Sequence, residues 1–419
     1  MSTVFIIGAG IGGLGAALSL HAAGIDCRVV DRVTELTPVG VGINLQPAAV
    51  RELIELGLGE ELATMAVPTS QFVHYDRYGN RIWGEPRGRH AGYHWPQYSV
   101  HRGELQMLLL RAVRDRLGPE AVTTGLACTD VDETDDRVTV RLHDRARDTG
   151  TTVEAEAVIG ADGLHSTVRA VLYPDEGAPI GNGIRMWRGT TVAEPFGDGA
   201  SMAVAGRNTA AKFVAYPITP TMDGKALMNW VAEVRLTDDS LEADWTTRGR
   251  LADVLPHFAD WDFGWLDVPG LITATDPILE YPMVDRDPLP HWGTGRITLL
   301  GDAAHPMYPV GSNGGSQAIV DARVLAYRLA TEPDIPTALA RYQADRREPT
   351  AAIVLANRKL GPEAILRTVA ERAPNGFDDI TEVLTAEELA EIDNAYLRTT
   401  GTDVEHLNNR ASWSVPESR

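Results

Sequence analysis

Apolar and polar positions follow two different periods along this chain, and the change of period divides it. Thr3 to Ile7 is an apolar β run that stops at Gly8. Residues 11 to 23 follow with apolar residues at helical spacing, and Gly24 stands where a left-handed residue closes a helix. Cys27 to Val30 form a second apolar run, ended by Asp31. Strand, glycine turn, helix, strand and acid together make the first βαβ unit of a doubly wound sheet. Pro47 predicts the first position of another helix reaching about Gly57, and Gly103 to Leu117 reads as a longer one. Val138 to Leu142 and Val153 to Ile159 read as short strands.

From about residue 180 to 275 the period changes to two. Ile184 to Val192, Lys212 to Ile218 and Leu227 to Val234 read as strands between Gly, Pro and Asp turns. Their partial alternation predicts an antiparallel sheet with one face covered. An apolar strand of the first kind returns at Arg296 to Gly301, and a helix is predicted from about Ser316 to Leu329. The fold class is therefore α/β: a Rossmann-like dinucleotide domain with an inserted antiparallel β-sheet domain and C-terminal helices. The expected boundaries are 1–73, 100–179 and 275–335 for the discontinuous first domain. The β-rich part takes 74–99 and 180–274, and the helical C-terminal region 336–419.

Composition narrows the function classes. The 419 residues are 44% hydrophobic, more chain than one simple core supports, so two joined domains are expected. A net charge of -20 argues against sequence-independent nucleic-acid binding and against docking on anionic lipid. Cys27 and Cys128 have neither metal nor disulfide spacing, which fits a reduced, cytoplasmic setting and no metal. The N-terminus lacks a basic region and a cleavage site, so it reads as a strand rather than a signal peptide. No apolar run is long enough for a membrane span.

Three motifs carry the chemistry. In GAGIGG, Gly8 permits a tight turn, Gly10 lets backbone approach a pyrophosphate, and Gly13 lets helix pack on sheet; Gly12 is counted with them as cofactor-binding. The helix start then offers free N–H groups to phosphate. Asp31, followed by Arg32, stands where a carboxylate accepts from the adenosine ribose; a plain turn acid is the competing reading. This unit alone fits NAD as well as FAD. The decision comes from Gly301-Asp302, a carboxylate at a strand end before a second helix-opening loop. Beside a pyrophosphate it needs hydroxyls to accept from, and the ribityl chain of FAD supplies them. Backbone N–H groups at Gly314 and Gly315, at the start of the next helix, could then stabilise negative charge on reduced flavin.

With GADGLHSTVR (160–169) between them, these motifs resemble those of the single-component, class A flavoprotein aromatic monooxygenases, the family of para-hydroxybenzoate and salicylate hydroxylases. GVGINLQPAAV (40–50), PQYSVHRGELQM (96–107), MWRGTT (186–191), HFADWDFGW (257–265) and the stretch 281–309 are similar to the family's bacterial phenazine monooxygenases. The resemblance implies non-covalent FAD, transient NADH or NADPH, and O2 as co-substrate. It implies hydroxylation, with or without decarboxylation, of an aromatic carboxylate of the phenazine-1-carboxylate type through a flavin C4a-hydroperoxide. A smaller salicylate-like ring, or a reductase or dehydrogenase of the same fold, are the alternatives. It further implies that Arg102 contacts the flavin side of the cofactor and Asp162 lies near the pyrophosphate and the nicotinamide route, with Gly42 and Ile43 also cofactor-binding. A homodimer is left open.

For the substrate pocket, Trp187, Arg188, Tyr216 and Trp230 of the insert and Met307, Tyr308 and Pro309 of the flavin loop are the candidates. Arg188 could pair a carboxylate through two N–H groups. Aromatic residues on strands also serve as plain core. Arg169 and His305 are expected to be structural, and no catalytic base is assigned.

Overall fold

The computed structural model describes residues 4–236, 247–389, 391 and 403–415; parts of the predicted insert (237–246) and C-terminal region fall outside them. A five-stranded, all-parallel sheet forms the first layer. Its order is Ile297–Leu299, Ala157–Gly160, Val4–Ile7, Cys27–Asp31 and Val122–Thr124. The central strands are buried on both faces, as parallel sheets covered by helices are. Helix Ile11–Ala22 packs against both Arg102–Leu117 and Gly314–Thr331, and their apolar faces join the sheet in one core.

One predicted strand proves to be two. Thr149–Ala155 pairs antiparallel with Val138–Asp144 in a separate three-stranded sheet, whereas Ala157–Gly160 enters the parallel sheet. The β-type pattern runs without a turn signal through Glu156 in sequence, but the two halves bond to different partners.

The second layer is a seven-stranded sheet. Its order is Leu279–Asp285, Ile180–Ala193, Ala226–Arg235, Ala211–Pro217, Met202–Gly206, Gln71–Tyr75 and Arg81–Pro86. Every neighbouring pair is antiparallel except Met202–Gly206 with Gln71–Tyr75. The segments 71–73 and 279–285, expected in the dinucleotide part, thus hydrogen-bond into this sheet. One face packs under residues 254–278 in a core rich in aromatic rings. The other, hereafter the inner face, meets Tyr308 and Val310 of the 301–317 segment and the helix Ala364–Arg372. Among the described residues, no helix is long and apolar enough to cross a membrane.

His74 illustrates the dryness of this sheet. It is fully buried, and neither ring nitrogen has a hydrogen-bond partner. Burial, with the charges of Arg87 and Lys212, pushes its pKa down to about 3. The folded chain therefore keeps His74 neutral where an unfolded chain protonates it. Its stability contribution is complete above the ordinary histidine range and is lost as pH falls from about 6.5 toward 3, by up to roughly 1.4 kcal/mol per pH unit. His74→Leu is expected to flatten the pH dependence of the urea midpoint over that window. An unchanged slope would show that other groups set it.

Candidate cofactor and substrate site

The three motifs, about 150 and 290 residues apart at the extremes, converge on one edge of the parallel sheet. Gly8 follows the strand Val4–Ile7, Ala161-Asp162 follows its neighbour Ala157–Gly160, and Leu300-Gly301 follows Ile297–Leu299. This is the carboxyl end of three adjacent parallel strands, where open α/β sheets bind their ligands.

The glycines divide into packing and open positions. Gly8 has φ +107°, and a Cβ there would lie 2.4 Å from the Ala161 carbonyl oxygen. On Gly13 it would lie 1.9 Å from the Gly8 carbonyl oxygen, and on Gly12 2.7 Å from Leu300 Cδ2. These three let backbone and helix close on one another. A Cβ on Gly10 would meet nothing within 4 Å. Gly10 also caps helix Ile11–Ala22, whose start has no side-chain cap, so its first N–H groups face open space suited to a pyrophosphate.

Asp31 braces this turn. Its carboxylate accepts from Ala9 N at 2.7 Å and Val33 N at 2.9 Å, and the side chain is only half-buried. Gln106, one helical turn beyond Arg102, donates to the Ala9 carbonyl at 2.7 Å. That i, i+4 spacing is the signal by which sequence reading could have found Gln106. Arg32 is exposed. Asp162 caps the short helix Thr167–Leu172, accepting from Ser166 Oγ at 2.5 Å and Thr167 N at 2.7 Å. Burial holds its pKa above the ordinary carboxylate range. Its Cα stands against Gly8, so its backbone borders the glycine turn.

Asp302 is different in kind. Its side chain is accessible yet set in a recess of surrounding protein, which raises its pKa; the charges of His305 and Arg102 pull it down. A Cβ on Gly314 would come 3.8 Å from its Oδ1, so the uncapped start of helix Gly314–Thr331 adjoins the carboxylate. Gly315 faces Ile43 across 3.7 Å by the same measure. Gln46, missed in the sequence, fastens this loop to the first layer. Its N–H donates to Ser316 Oγ at 2.9 Å and its Nε2 to the Gly311 carbonyl at 3.0 Å.

Buried charges hold the loop from behind. Arg169 is 1% exposed and donates to the carbonyls of Ala303 and Ala304 at 2.9 and 3.0 Å, with Glu176 as its counter-ion. His305 Nε2 lies 2.5 Å from Asp321, which also accepts from Gly301 N and from Arg346 Nε. Through these contacts Arg169 and His305 brace the loop from within the protein.

A family profile described as FAD binding domain matches residues 1–357. The chain belongs to that family. The open cradle at Gly10 and the accessible Asp302 beside an uncapped helix fit the cofactor it names, FAD. Phenazine 1,6-dicarboxylic acid hydroxylase PhzS of Lysobacter antibioticus is 52% identical over 378 residues, covering 88% of this chain and 91% of its own. 3-hydroxybenzoate 6-hydroxylase 1 of Aquipseudomonas alcaligenes is 32% identical over 368 residues, covering 84% and 86%. The crystal structure of HpxO from Klebsiella pneumoniae with FAD and uric acid superposes with a TM-score of 0.72 at 26% identity, over 97% of this chain and 96% of that one. The chain is thus an FAD-dependent aromatic monooxygenase of this flavoprotein family, with its α/β fold.

In this monooxygenase the pocket candidates separate by sheet face. Trp187 and Trp230 do not face the cofactor side. Both are buried in the outer core, Trp230 Nε1 donating to Thr275 Oγ1 at 2.8 Å and its ring stacking on Phe213. The reason is the period of two: Gly189 pairs with Trp230 and Arg188 with Val231, so adjacent residues point to opposite faces. Arg188 and Tyr216 share the inner face and converge on one atom. Arg188 Nη2 and the Tyr216 hydroxyl donate to the Gly42 carbonyl at 2.9 and 3.0 Å. Asn229, also missed, accepts from Gly42 N at 2.7 Å and ties the seven-stranded sheet to the strand Gly42–Leu45. Tyr281, on the same face, has its ring near Arg188 and feels the charge of Arg102 as well. In the flavin loop Tyr308 is buried against the inner face, Met307 is half-buried and Pro309 exposed.

Proposed function

We propose that this enzyme hydroxylates a carboxylated phenazine-type ring, using NADH or NADPH as reductant and O2 as oxidant. The observation that carries the reading is the 52% identity, over 91% of its length, to a relative named for hydroxylating phenazine 1,6-dicarboxylic acid. The position of Arg188 supports it: a half-buried guanidinium on the inner face, anchored by one nitrogen to the Gly42 carbonyl.

FAD, when bound, supplies hydride acceptance from the nicotinamide and activation of O2. The chain's residues hold and shield it. The N–H groups following Gly10 would bind the pyrophosphate, Asp31 the adenosine ribose and Asp302 the ribityl hydroxyls. The positive end of helix Gly314–Thr331, at Gly314 and Gly315, would stabilise negative charge on the flavin edge. Arg188 would receive the ring carboxylate, and Met307 and Pro309 of the flavin loop would contact the ring. The inner sheet face excludes water, which favours oxygen transfer over loss of hydrogen peroxide. An electron-rich ring needs no protein base for attack.

The test is NADH or NADPH oxidation coupled to O2 uptake with phenazine carboxylates and with salicylate, followed by mass spectrometry. Stimulation by a phenazine carboxylate, with one oxygen gained or the carboxylate replaced by hydroxyl, is the expected result. Stimulation by salicylate alone would move the substrate to a smaller ring. Nicotinamide oxidation without an oxygenated product would make the enzyme a reductase.

A further inference from the structure

The inner face carries a set of charges that neither FAD nor ring contact uses. Lys212 is 2% exposed, its Nζ 2.8 Å from the Glu233 carboxylate and bonded also to Glu363, just ahead of helix Ala364–Arg372. Asn208 Nδ2 adds a hydrogen bond to Glu363 at 3.2 Å. Lys212 pairs across the strands with Glu233, and Glu233 with Met186. Arg188, opposite Val231, is therefore the diagonal neighbour of Glu233 on the same face. Such neighbours stand roughly 7–8 Å apart, within reach of long side chains.

Arg188 has no carboxylate at ion-pair distance among the described residues, and its Nε is buried without a hydrogen-bond partner. Burial acts to deprotonate Lys212, but Glu233 and Glu363 more than offset it, so the ammonium stays charged. Burial and the charge of Glu363 act to raise the pKa of Glu233, while Lys212 and Arg188 act to lower it. The formal charges of the cluster, Arg188 and Lys212 against Glu233 and Glu363, balance. Among the described residues the direct partners of Arg188 are neutral: the Gly42 carbonyl, the Tyr216 side chain and the Tyr281 ring. The nearest balancing charge on its face is Glu233, one strand away.

We infer that Glu233 is the counter-charge of Arg188 and so sets how tightly the site holds an anionic ring. Glu233 is a positioning residue that never touches the ring itself. With it in place, an incoming carboxylate competes with a charge already facing the guanidinium, which limits affinity and favours release. Without it, the cluster carries one uncompensated positive charge in a poorly solvated wall, and the anion gains the whole attraction. Glu363 carries the same charge on the far side of Lys212 and acts on Arg188 more weakly.

The inference rests on the reading of Arg188 as the carboxylate receptor, and the experiment separates the two. Binding of phenazine-1-carboxylate and of its carboxamide to the FAD-loaded enzyme is followed by perturbation of the flavin spectrum. Glu233→Gln is expected to tighten the carboxylate about tenfold and to leave the carboxamide within about twofold. Glu363→Gln is expected to tighten the carboxylate by a smaller factor. Arg188→Met is expected to abolish the preference of the wild type for the carboxylate. If Glu233→Gln moves both ligands alike, or neither, while Arg188→Met removes the preference, the role of Glu233 is overturned and that of Arg188 stands. If Arg188→Met leaves the preference intact, the carboxylate lies elsewhere and both readings fall.

Discussion

Asp321→Ala is expected to lower the stability of the chain by about 3–5 kcal/mol, the range for removing one partner of a buried ion pair. Asp321 is fully buried and holds three donors at once: Gly301 N at 3.1 Å, His305 Nε2 at 2.5 Å and Arg346 Nε at 2.7 Å. Among the described residues, alanine would leave the Arg346 guanidinium with only Gln317, at 2.6 Å, as a side-chain acceptor. It would also free the turn at Gly301 that aims Asp302. Urea unfolding of the FAD-free protein measures the loss. The double variant Asp321→Ala, Arg346→Met should recover part of it, because no charge is then stranded. A loss below about 1 kcal/mol would mean the network is worth no more than an exposed pair.

The same carboxylate gives a sign for acid unfolding. Burial acts upward on Asp321, but His305 and Arg346 pull its pKa below the ordinary carboxylate range. A group depressed in the folded state contributes its stability above its unfolded pKa and loses it as pH falls through the folded value. The wild type should therefore shed this contribution in acid below the ordinary carboxylate range, and the Asp321→Ala profile should be flatter there.

Asp302→Ala is expected to weaken FAD binding by about 10- to 100-fold, the equivalent of losing hydrogen bonds to a charged group worth about 1.5–3 kcal/mol. Stability without FAD should be unchanged or slightly higher. The recess raises the pKa of this carboxylate, partly through repulsion from Asp321, so the empty fold gains nothing from it. Asp302→Asn keeps an oxygen acceptor of the same shape and should fall between. Fluorescence titration of the FAD-free protein checks the constants. Wild-type affinity in Asp302→Ala would assign the ribityl contact to another residue.

How far the site was legible depends on whether its logic is local. The Gly8 turn, the helix after it and Asp31 lie within one continuous stretch, and φ, cap and period are written in neighbouring residues. The adjacency of Trp187 and Arg188 already implied that only one of them could face the cofactor, since strand side chains alternate. Which one did was settled by what each face packs on. The aromatic core under residues 254–278 took Trp187 and Trp230, and the Gly42 carbonyl took Arg188 and Tyr216. Asn229, Gln46 and Asp321 carried no signal, because each acts on a partner far along the chain: Gly42 at a separation of 187 residues, Ser316 at 270, Arg346 at 25.

The amino-acid sequence by itself determined the glycine turns, the first βαβ unit, the change from helical period to a β-rich insert, and through three separated motifs the cofactor. Those features follow from steric freedom at single residues and from hydrophobic period, both of which act over a few positions. The tertiary structure alone decided that the motifs share one sheet edge, which sheet claims Leu279–Asp285, and that Glu233 stands beside Arg188. Strand register and packing between layers set those outcomes, and they depend on contacts that no local stretch of chain contains.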